Sequence, residues 1–332
     1  MPEPSPSPKR RGRLVRFGAA CVVLSAVAGY AVVQYVSGGT GDPGCRVVSG
    51  DGNGAAYEFT PEQAVNAATI AAVGTDRAMP ERAVAIALAT ALQESGLRNL
   101  DHGDRDSLGL FQQRPSQGWG TEKQVTDPAY AADVFYQHLA KVRDYTELPL
   151  TVAAQRVQRS GYPEAYAKHE PDAVLLAAAL TGTSAATLTC DGRSRSTAAS
   201  GPAAVRAALT RDFGRGALRP EGAQAGARAG KASSADAETP VAKGSGRTLI
   251  LPVAEDTTAG GRSVGERGWQ LAHWAVANAS ALRIERVAYA GREWVSGNTD
   301  SRWRATGSTS AEAAGGPAAG GGADSVRIVT EQ

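Results

Sequence analysis

The sequence predicts a mainly α-helical protein: an all-α domain behind an N-terminal transmembrane anchor, then a small α+β C-terminal domain. Three observations carry this expectation. From Phe17 to Val36 no residue is charged, a run matching the roughly 20 residues a helix needs to span a bilayer. Residues 58–190 hold apolar stripes at helical spacing between clear start and stop signals, with no convincing strand run. Beyond a stretch rich in Ala, Gly, Arg and Ser at 191–246, short β-rich runs flank one further helical stripe at 247–332.

Composition bounds the function. The chain has 332 residues, 42% hydrophobic and 20% charged, which does not suit a multi-span membrane protein. Its 39 Gly and 17 Pro call for sizeable linkers. The formal net charge of +2 argues against a broad nucleic-acid surface, so no nucleic-acid partner is expected. Three Cys exclude a disulfide-dense scaffold and an all-cysteine zinc site, which needs four ligands.

Residues 1–16 carry Pro2, Pro4, Pro6 and Pro8, then Lys9, Arg10, Arg11, Arg13 and Arg16. Such a tail does not fold alone. Its basic cluster ahead of residues 17–36 puts the N-terminus in the cytoplasm and the body of the chain outside, as a single-pass membrane protein. Two other readings stay open. Ala26-Val27-Ala28 is a candidate signal-peptidase site that releases the protein, and Gly18-Ala19-Ala20-Cys21 has the look of a lipoprotein box. All three export the body. Outside the cell disulfides form, so Cys45 and Cys190, which flank the helical region, are expected to pair. Two unpaired thiols are the alternative.

Residues 37–57 read as a Gly-rich linker. Thr60-Pro61-Glu62 then opens a helix, with Thr as N-cap and Pro at the first helical position. Val65, Ala68, Thr69 and Ala72 form its apolar face. Pro80 opens a second helix with the stripe Val84, Leu88, Ala91 and Leu92, and Gly96 stops it. Asp127-Pro128 opens a third, with Ala131, Val134, Phe135 and Leu139 inward. Leu150 to Gln158 and Pro171 to Leu180 read as two more, and Pro202–Phe213 as a short one inside the 191–246 linker. In the last domain Thr248 to Val253 is a strand candidate. Trp269, Ala272, Val276 and Ala279 make a helix stripe, Arg286 to Ala290 a strand, Gly315 to Gly322 a low-complexity loop, and Ser325 to Val329 a closing strand.

Chemistry concentrates in Gln93-Glu94-Ser95-Gly96 and Ser107-Leu108-Gly109-Leu110-Phe111-Gln112-Gln113. Glu94 lies in the last turn of the second helix, bordering its apolar stripe. A carboxyl there loses water, which raises its pKa and lets it hold a proton near neutrality, as a glycosidase acid must. An ordinary surface Glu near a helix end is the competing reading. The neighbours decide for the acid. Gly96 lets the chain turn away, Gly109 permits close backbone approach, and Gln112 and Gln113 offer amides suited to a sugar N-acetyl group. Trp119, in Gly118-Trp119-Gly120-Thr121, is a candidate for stacking on a sugar ring, with core packing the alternative.

Glu-Ser-Gly followed some ten residues later by Ser-Leu-Gly-Leu-Phe-Gln resembles the lysozyme-like lytic transglycosylase (SLT-type) pattern of actinobacterial membrane-anchored cell-wall proteins. The likeness continues through Gln113 to Thr121, the Asp127-Pro128 helix and Gly161-Tyr162-Pro163-Glu164-Ala165-Tyr166-Ala167, covering about residues 58–183. The resemblance implies a lysozyme-like helical fold acting on peptidoglycan glycan strands without a cofactor. It implies Glu94 as the single general acid/base and Ser95 as its support. The cleft would be lined by Ser107, Gly109, Leu110, Phe111, Gln112 and Gln113, with either Tyr162 or Tyr166 beside the Glu. The implied product is a 1,6-anhydro sugar, formed when the substrate's own 6-hydroxyl closes on the anomeric carbon.

Asp101, Asp104 and Asp106 lie between the two motifs. A second carboxylate about 6.5–9.5 Å from the acid activates water and hydrolyses with inversion. Asp106 is the candidate for that role, making hydrolytic muramidase the alternative outcome; a solvated acidic loop is the other reading of the three. A non-catalytic peptidoglycan-binding or scaffold protein is the rival from outside enzymology. His102, His138, His169 and His273 form no HExxH pattern or close pair, so no metal is expected. No phosphate loop or GxSxG elbow is present. The C-terminal segment around Gly268-Trp269, Tyr289 to Trp294 and Val326 to Val329 is weakly similar to a C-terminal domain of secreted actinobacterial cell-wall proteins. Their closing strand often reads Asp-His-Val-His-Val; here Asp324-Ser325-Val326-Arg327-Ile328 carries no His. That segment is therefore expected to be an accessory or binding module, with Trp269, Trp294 and Trp303 either stacking on sugars or packing in a core. Oligomeric state is not legible.

Overall fold

The computed structural model describes residues 44–159, 163–192, 201–214, 244–253, 261–297, 302–306 and 324–331. The basic tail 1–16, the anchor at 17–36, Tyr162 and the 315–322 loop lie outside the described residues. Among those described, no helix is long and apolar enough to cross a membrane.

Two short strands stand where the sequence suggested a linker: β1 (Cys45–Val48) and β2 (Ala56–Phe59). In β1, Cys45 and Val47 are buried and Arg46 is exposed, the two-residue alternation of a half-buried strand. Later in the chain, β3 (Leu188–Cys190) completes an antiparallel sheet of order β2-β1-β3. Cys45 lies opposite Cys190 in that register, and the two form a disulfide. The sheet thus ties the first described strand to the chain emerging from the helices.

Between these strands the chain is helical: α1 (Pro61–Asp76), α2 (Glu81–Ser95), the single turn α3 (Glu122–Val125), α4 (Pro128–Leu139), α5 (Leu150–Gln158) and α6 (Glu170–Thr181). Two 3-10 turns, Pro115–Gln117 and Pro163–His169, interrupt them. The start signals act as their chemistry requires. The Thr60 hydroxyl accepts from the Gln63 N–H, and the Gln63 side chain accepts from the Thr60 N–H, a reciprocal cap. The Asp127 carboxylate caps α4 through the N–H groups of Ala129 and Tyr130. Residues Ala83 to Leu92 of α2 are all buried. A helix apolar all round belongs at the centre of a bundle, and α2 is in contact with α1, α4, α5 and α6.

Beyond β3, α7 spans Pro202–Phe213, where the sequence suggested a short helix inside the linker. The last part holds β4 (Gly244–Ser245), β5 (Thr248–Pro252), α8 (Val264–Ala277), α9 (Ala279–Leu282), β6 (Ile284–Tyr289), β7 (Arg292–Val295), β8 (Arg304–Ala305) and β9 (Ser325–Thr330). Its strands form one antiparallel sheet, β4-β5-β9-β6-β7-β8. Leu249, Ile328, Val287 and Trp294 stand in one register row across it, and all four are buried. The whole is therefore a mixed α and β fold with two small sheets.

The C-terminal segment shares one hydrophobic core with the helices. Its helix α8, buried from Gly268 to Ala277, touches the six-stranded sheet and also α1, α6 and β3. Polar side chains on α8 are matched individually. Gln270 donates to the Thr75 hydroxyl at 2.7 Å, and the Trp274 indole donates to Asp212 at 2.8 Å. His273 Nδ1 lies 2.7 Å from the Ala179 carbonyl, and burial lowers the pKa of its imidazole to about 4. The Trp294 and Trp303 indoles donate to the Cys190 and Leu188 carbonyls. Trp269, Trp294 and Trp303 are thus buried core residues, the packing alternative raised by the sequence, and the Trp294 and Trp303 N–H groups find backbone partners.

Candidate active site around Glu94

The end of α2 is held from three sides. Gly96 caps the helix in the left-handed region at φ 62, with the Gly96 N–H donating to Leu92 and the Leu97 N–H to Ala91. This is a conformation glycine adopts without strain. From α1, Gln63 donates to the Gly96 carbonyl and Asn66 to the Leu97 carbonyl, each at 2.8 Å. The buried Ser95 hydroxyl lies 3.0 Å from the Ala91 carbonyl and 2.8 Å from the Leu110 carbonyl. Ser95 therefore fastens the helix end to the second motif.

That second motif is a tight hairpin. Leu108 and Gln113 exchange both backbone hydrogen bonds at 3.0 Å, with Gly109 at φ 77 and Gln112 at φ 47 in the bend. Gly109 is required on two counts. Its φ is positive, and a Cβ there would sit 2.1 Å from the Val125 carbonyl oxygen, closer than any side chain tolerates. Its N–H donates to the Leu100 carbonyl at 2.7 Å. The hairpin is thus clamped between the loop after α2 and the turn α3.

Glu94 is the partly buried residue at this junction. The Tyr166 hydroxyl, from the 3-10 turn Pro163–His169, donates to its Oε1 at 2.7 Å. The Gln158 amide, at the end of α5, donates to the Phe111 carbonyl at 2.8 Å. Burial is the largest influence on the carboxyl and raises its pKa above the ordinary Glu value; the Tyr166 bond and the amide of Gln158 partly offset it. One residue earlier, the Gln93 amide oxygen faces His169 Nε2 at 3.2 Å. The same 3-10 turn therefore meets the end of α2 at two points.

The other sequence-nominated residues divide. Leu110 and Phe111 bury their side chains fully, and Phe111 stacks on Phe135 at 4.7 Å. They offer the site backbone groups, and their side chains build the core. Gln113 is buried, donating to the Ala131 carbonyl at 3.0 Å, so its amide serves the hairpin. Gln112 is half-buried and spans the His102 and Gly109 carbonyls at 3.3 Å. Ser107 is buried, its N–H donating to the Asp104 carbonyl at 3.0 Å. Trp119 is half-buried, packs against the hydrophobic core and stacks on His138 at 4.3 Å.

Asp101 and Asp104 are exposed. Asp106 is not a free carboxylate. Its Oδ1 accepts from Arg114 Nε and its Oδ2 from the Ser116 N–H, both at 2.8 Å, and these bonds hold its pKa well below the ordinary Asp value. Among the described residues no group of three or more His, Cys, Asp or Glu is placed to hold a metal ion.

Motif reading missed Gln158 and His169 as residues that meet this part of the site. Gln158 was legible only as the last residue of a helix; its approach to the Phe111 carbonyl depends on how α5 packs. No family model matches the chain, and no curated protein is significantly similar to it.

Proposed function

We propose that the protein is a lytic transglycosylase that cleaves the β-1,4 bond between N-acetylmuramic acid and N-acetylglucosamine in peptidoglycan, with Glu94 as the single general acid/base. The observation that carries this reading is Glu94 itself: a partly buried carboxyl, raised in pKa by burial and oriented by the Tyr166 hydroxyl at 2.7 Å. A carboxyl shifted this way keeps its proton to higher pH than an ordinary Glu and is pre-oriented to give it up.

In the proposed reaction, protonated Glu94 gives its proton to the glycosidic oxygen as the C1–O4 bond breaks. The resulting carboxylate is met by the Tyr166 hydroxyl. It then takes the proton from the muramic acid 6-hydroxyl as that oxygen bonds to C1. The proton returns to Glu94, no water is consumed, and the product ends in a 1,6-anhydro ring. Asp106 favours this course over hydrolysis. Its bonds to Arg114 and Ser116 make it a weak base, because a carboxylate stabilised as the anion takes a proton poorly.

The proposed setting is extracytoplasmic, with residues 17–36 anchoring the chain in the membrane. The Cys45–Cys190 disulfide suits an oxidising compartment. The test is release of soluble fragments from purified peptidoglycan by the full-length protein. The wild type is expected to release them, and E94Q to be slower by about a thousandfold. Equal release by a folded E94Q would remove Glu94 from the chemistry. No release by either protein would favour a binding or scaffold role.

A further inference from the structure

The 3-10 turn Pro163–His169 is seven residues long. Its i→i+3 hydrogen bonds have poor geometry, and runs beyond three or four residues are uncommon. A turn of this length therefore leans on what it packs against, which is α2, α5 and α6. Three residues make one turn, so side chains three apart stand one above the other. Tyr166 and His169 are such a pair. Tyr166 is buried and His169 half-buried, while Glu164, Ala167 and Lys168 are exposed. Both reach the end of α2. The Tyr166 hydroxyl donates to Glu94 Oε1 at 2.7 Å, and His169 Nε2 lies 3.2 Å from Gln93 Oε1. An amide oxygen only accepts, so Nε2 carries the proton and donates. Gln93 and Glu94 are consecutive residues of α2. The turn thus has two hydrogen bonds to the helix end, one on the acid and one beside it.

We propose that His169 is a positioning residue for Glu94: its bond to Gln93 fixes the rotation of the 3-10 turn and so keeps the Tyr166 hydroxyl on the carboxyl. The proposal rests on the reading of Glu94 as the general acid/base. Held by the Tyr166 bond alone, the turn could pivot about that one contact. A second bond on the same face, one turn further on, removes that freedom. The imidazole suits the task. Burial and the nearby Lys168 lower its pKa, so at neutral pH the ring is uncharged and its single N–H is spent on Gln93. His169 takes no proton in the reaction. It acts through Gln93 and Tyr166, and its loss is read first at the Tyr166 hydroxyl.

The experiment uses the full-length chain as wild type, H169L and H169Q. H169L removes the donor, whereas H169Q places an amide N–H at about the same reach. Carbon-detected NMR of labelled Tyr follows the Tyr166 Cζ at neutral pH in the resting protein. Y166F assigns the signal, and E94A marks its position when the carboxylate acceptor is gone. The expected result is a Tyr166 signal displaced toward the E94A position in H169L and returned to the wild-type position in H169Q. On peptidoglycan fragments, kcat of H169L should fall about tenfold with KM nearly unchanged, and H169Q should recover it. Circular dichroism checks folding; if H169L does not fold, Q93L removes the same bond from the other side and carries the test. A Tyr166 signal unmoved in a folded variant would overturn the proposal, as would an H169Q displaced as far as H169L. The NMR reading needs no substrate. An inactive wild type whose Tyr166 signal still depends on residue 169 would therefore overturn the proposed reaction and leave the positioning role standing.

Discussion

At the scale of single residues, Glu94 makes a stability prediction separate from its chemistry. Its folded pKa lies above the ordinary value because burial disfavours the charge. The favourable state is therefore the protonated one. Its contribution is full below the unfolded pKa and is lost as pH rises through the folded pKa. Gln is neutral at every pH, so E94Q is expected to exceed the wild type in stability at pH 7 by about 1 kcal/mol. That gain should vanish below about pH 4. Urea unfolding at the two pH values checks it; an E94Q less stable than wild type at pH 7 would contradict it. The pairing of the Glu94 helix end with the Ser107–Gln113 segment was legible from residue type and spacing, and Ser95 joins the two through the Leu110 carbonyl. The roles of Leu110, Phe111 and Gln113 were not. A motif names which residues recur together, and only packing decides whether a side chain points into a cleft or, like the Phe111 ring on Phe135, into the core.

At the scale of elements, helices with start signals were well marked. Thr60 and Asp127 cap the helices they were expected to open, because the capping bond is local. The strands β1, β2 and β3 were not marked. Each has three or four residues, too few to establish alternation, and each is stabilised by a partner distant in sequence. The least legible feature was the docking of α8. Its stripe predicted one buried face, whereas it is buried on both sides, with Gln270, His273 and Trp274 matched to groups on other elements. Asp212 is central to this docking. Its fully buried carboxylate accepts from the Trp274 indole at 2.8 Å, from the Thr69 hydroxyl at 3.3 Å and from Arg211 at 2.8 Å. D212A leaves these donors without their acceptor, and a loss of about 3 kcal/mol in unfolding free energy is expected. A loss below about 0.5 kcal/mol in denaturant unfolding would show that α8 docks without it.

At the scale of the whole molecule, the chain is held by one long-range covalent tie and one shared core. Cys45 and Cys190 are 145 residues apart in sequence. On the chain-entropy account, closing so long a loop stabilises the fold by about 5 kcal/mol. Reduction under native conditions is therefore expected to lower the denaturant midpoint strongly, and a C45A/C190A double variant to match the reduced protein. Equal midpoints for oxidised and reduced protein would contradict this. The shared core gives a second expectation: removing residues 244–332 bares the helix faces that α8 covers, so the shortened protein should aggregate or melt early. Where α8 meets α6 is known from Ala179, in the last turn of that helix. Tyr166 lies just before its first turn. The C-terminal segment thus supports the scaffold from the end of α6 opposite the site, a role that residue patterns within each segment do not announce.

The central claim is that the glycan is cleaved without water, with Glu94 acting alone. Mass spectrometry of the products from purified peptidoglycan, digested by the full-length protein and by E94Q in parallel, tests it most directly. The expected products are muropeptides ending in 1,6-anhydro-N-acetylmuramic acid, lighter by one water than hydrolysis products, and absent with E94Q. Reducing ends formed by the wild type would contradict the claim, and would mean that water is activated despite the engagement of Asp106 by Arg114 and Ser116.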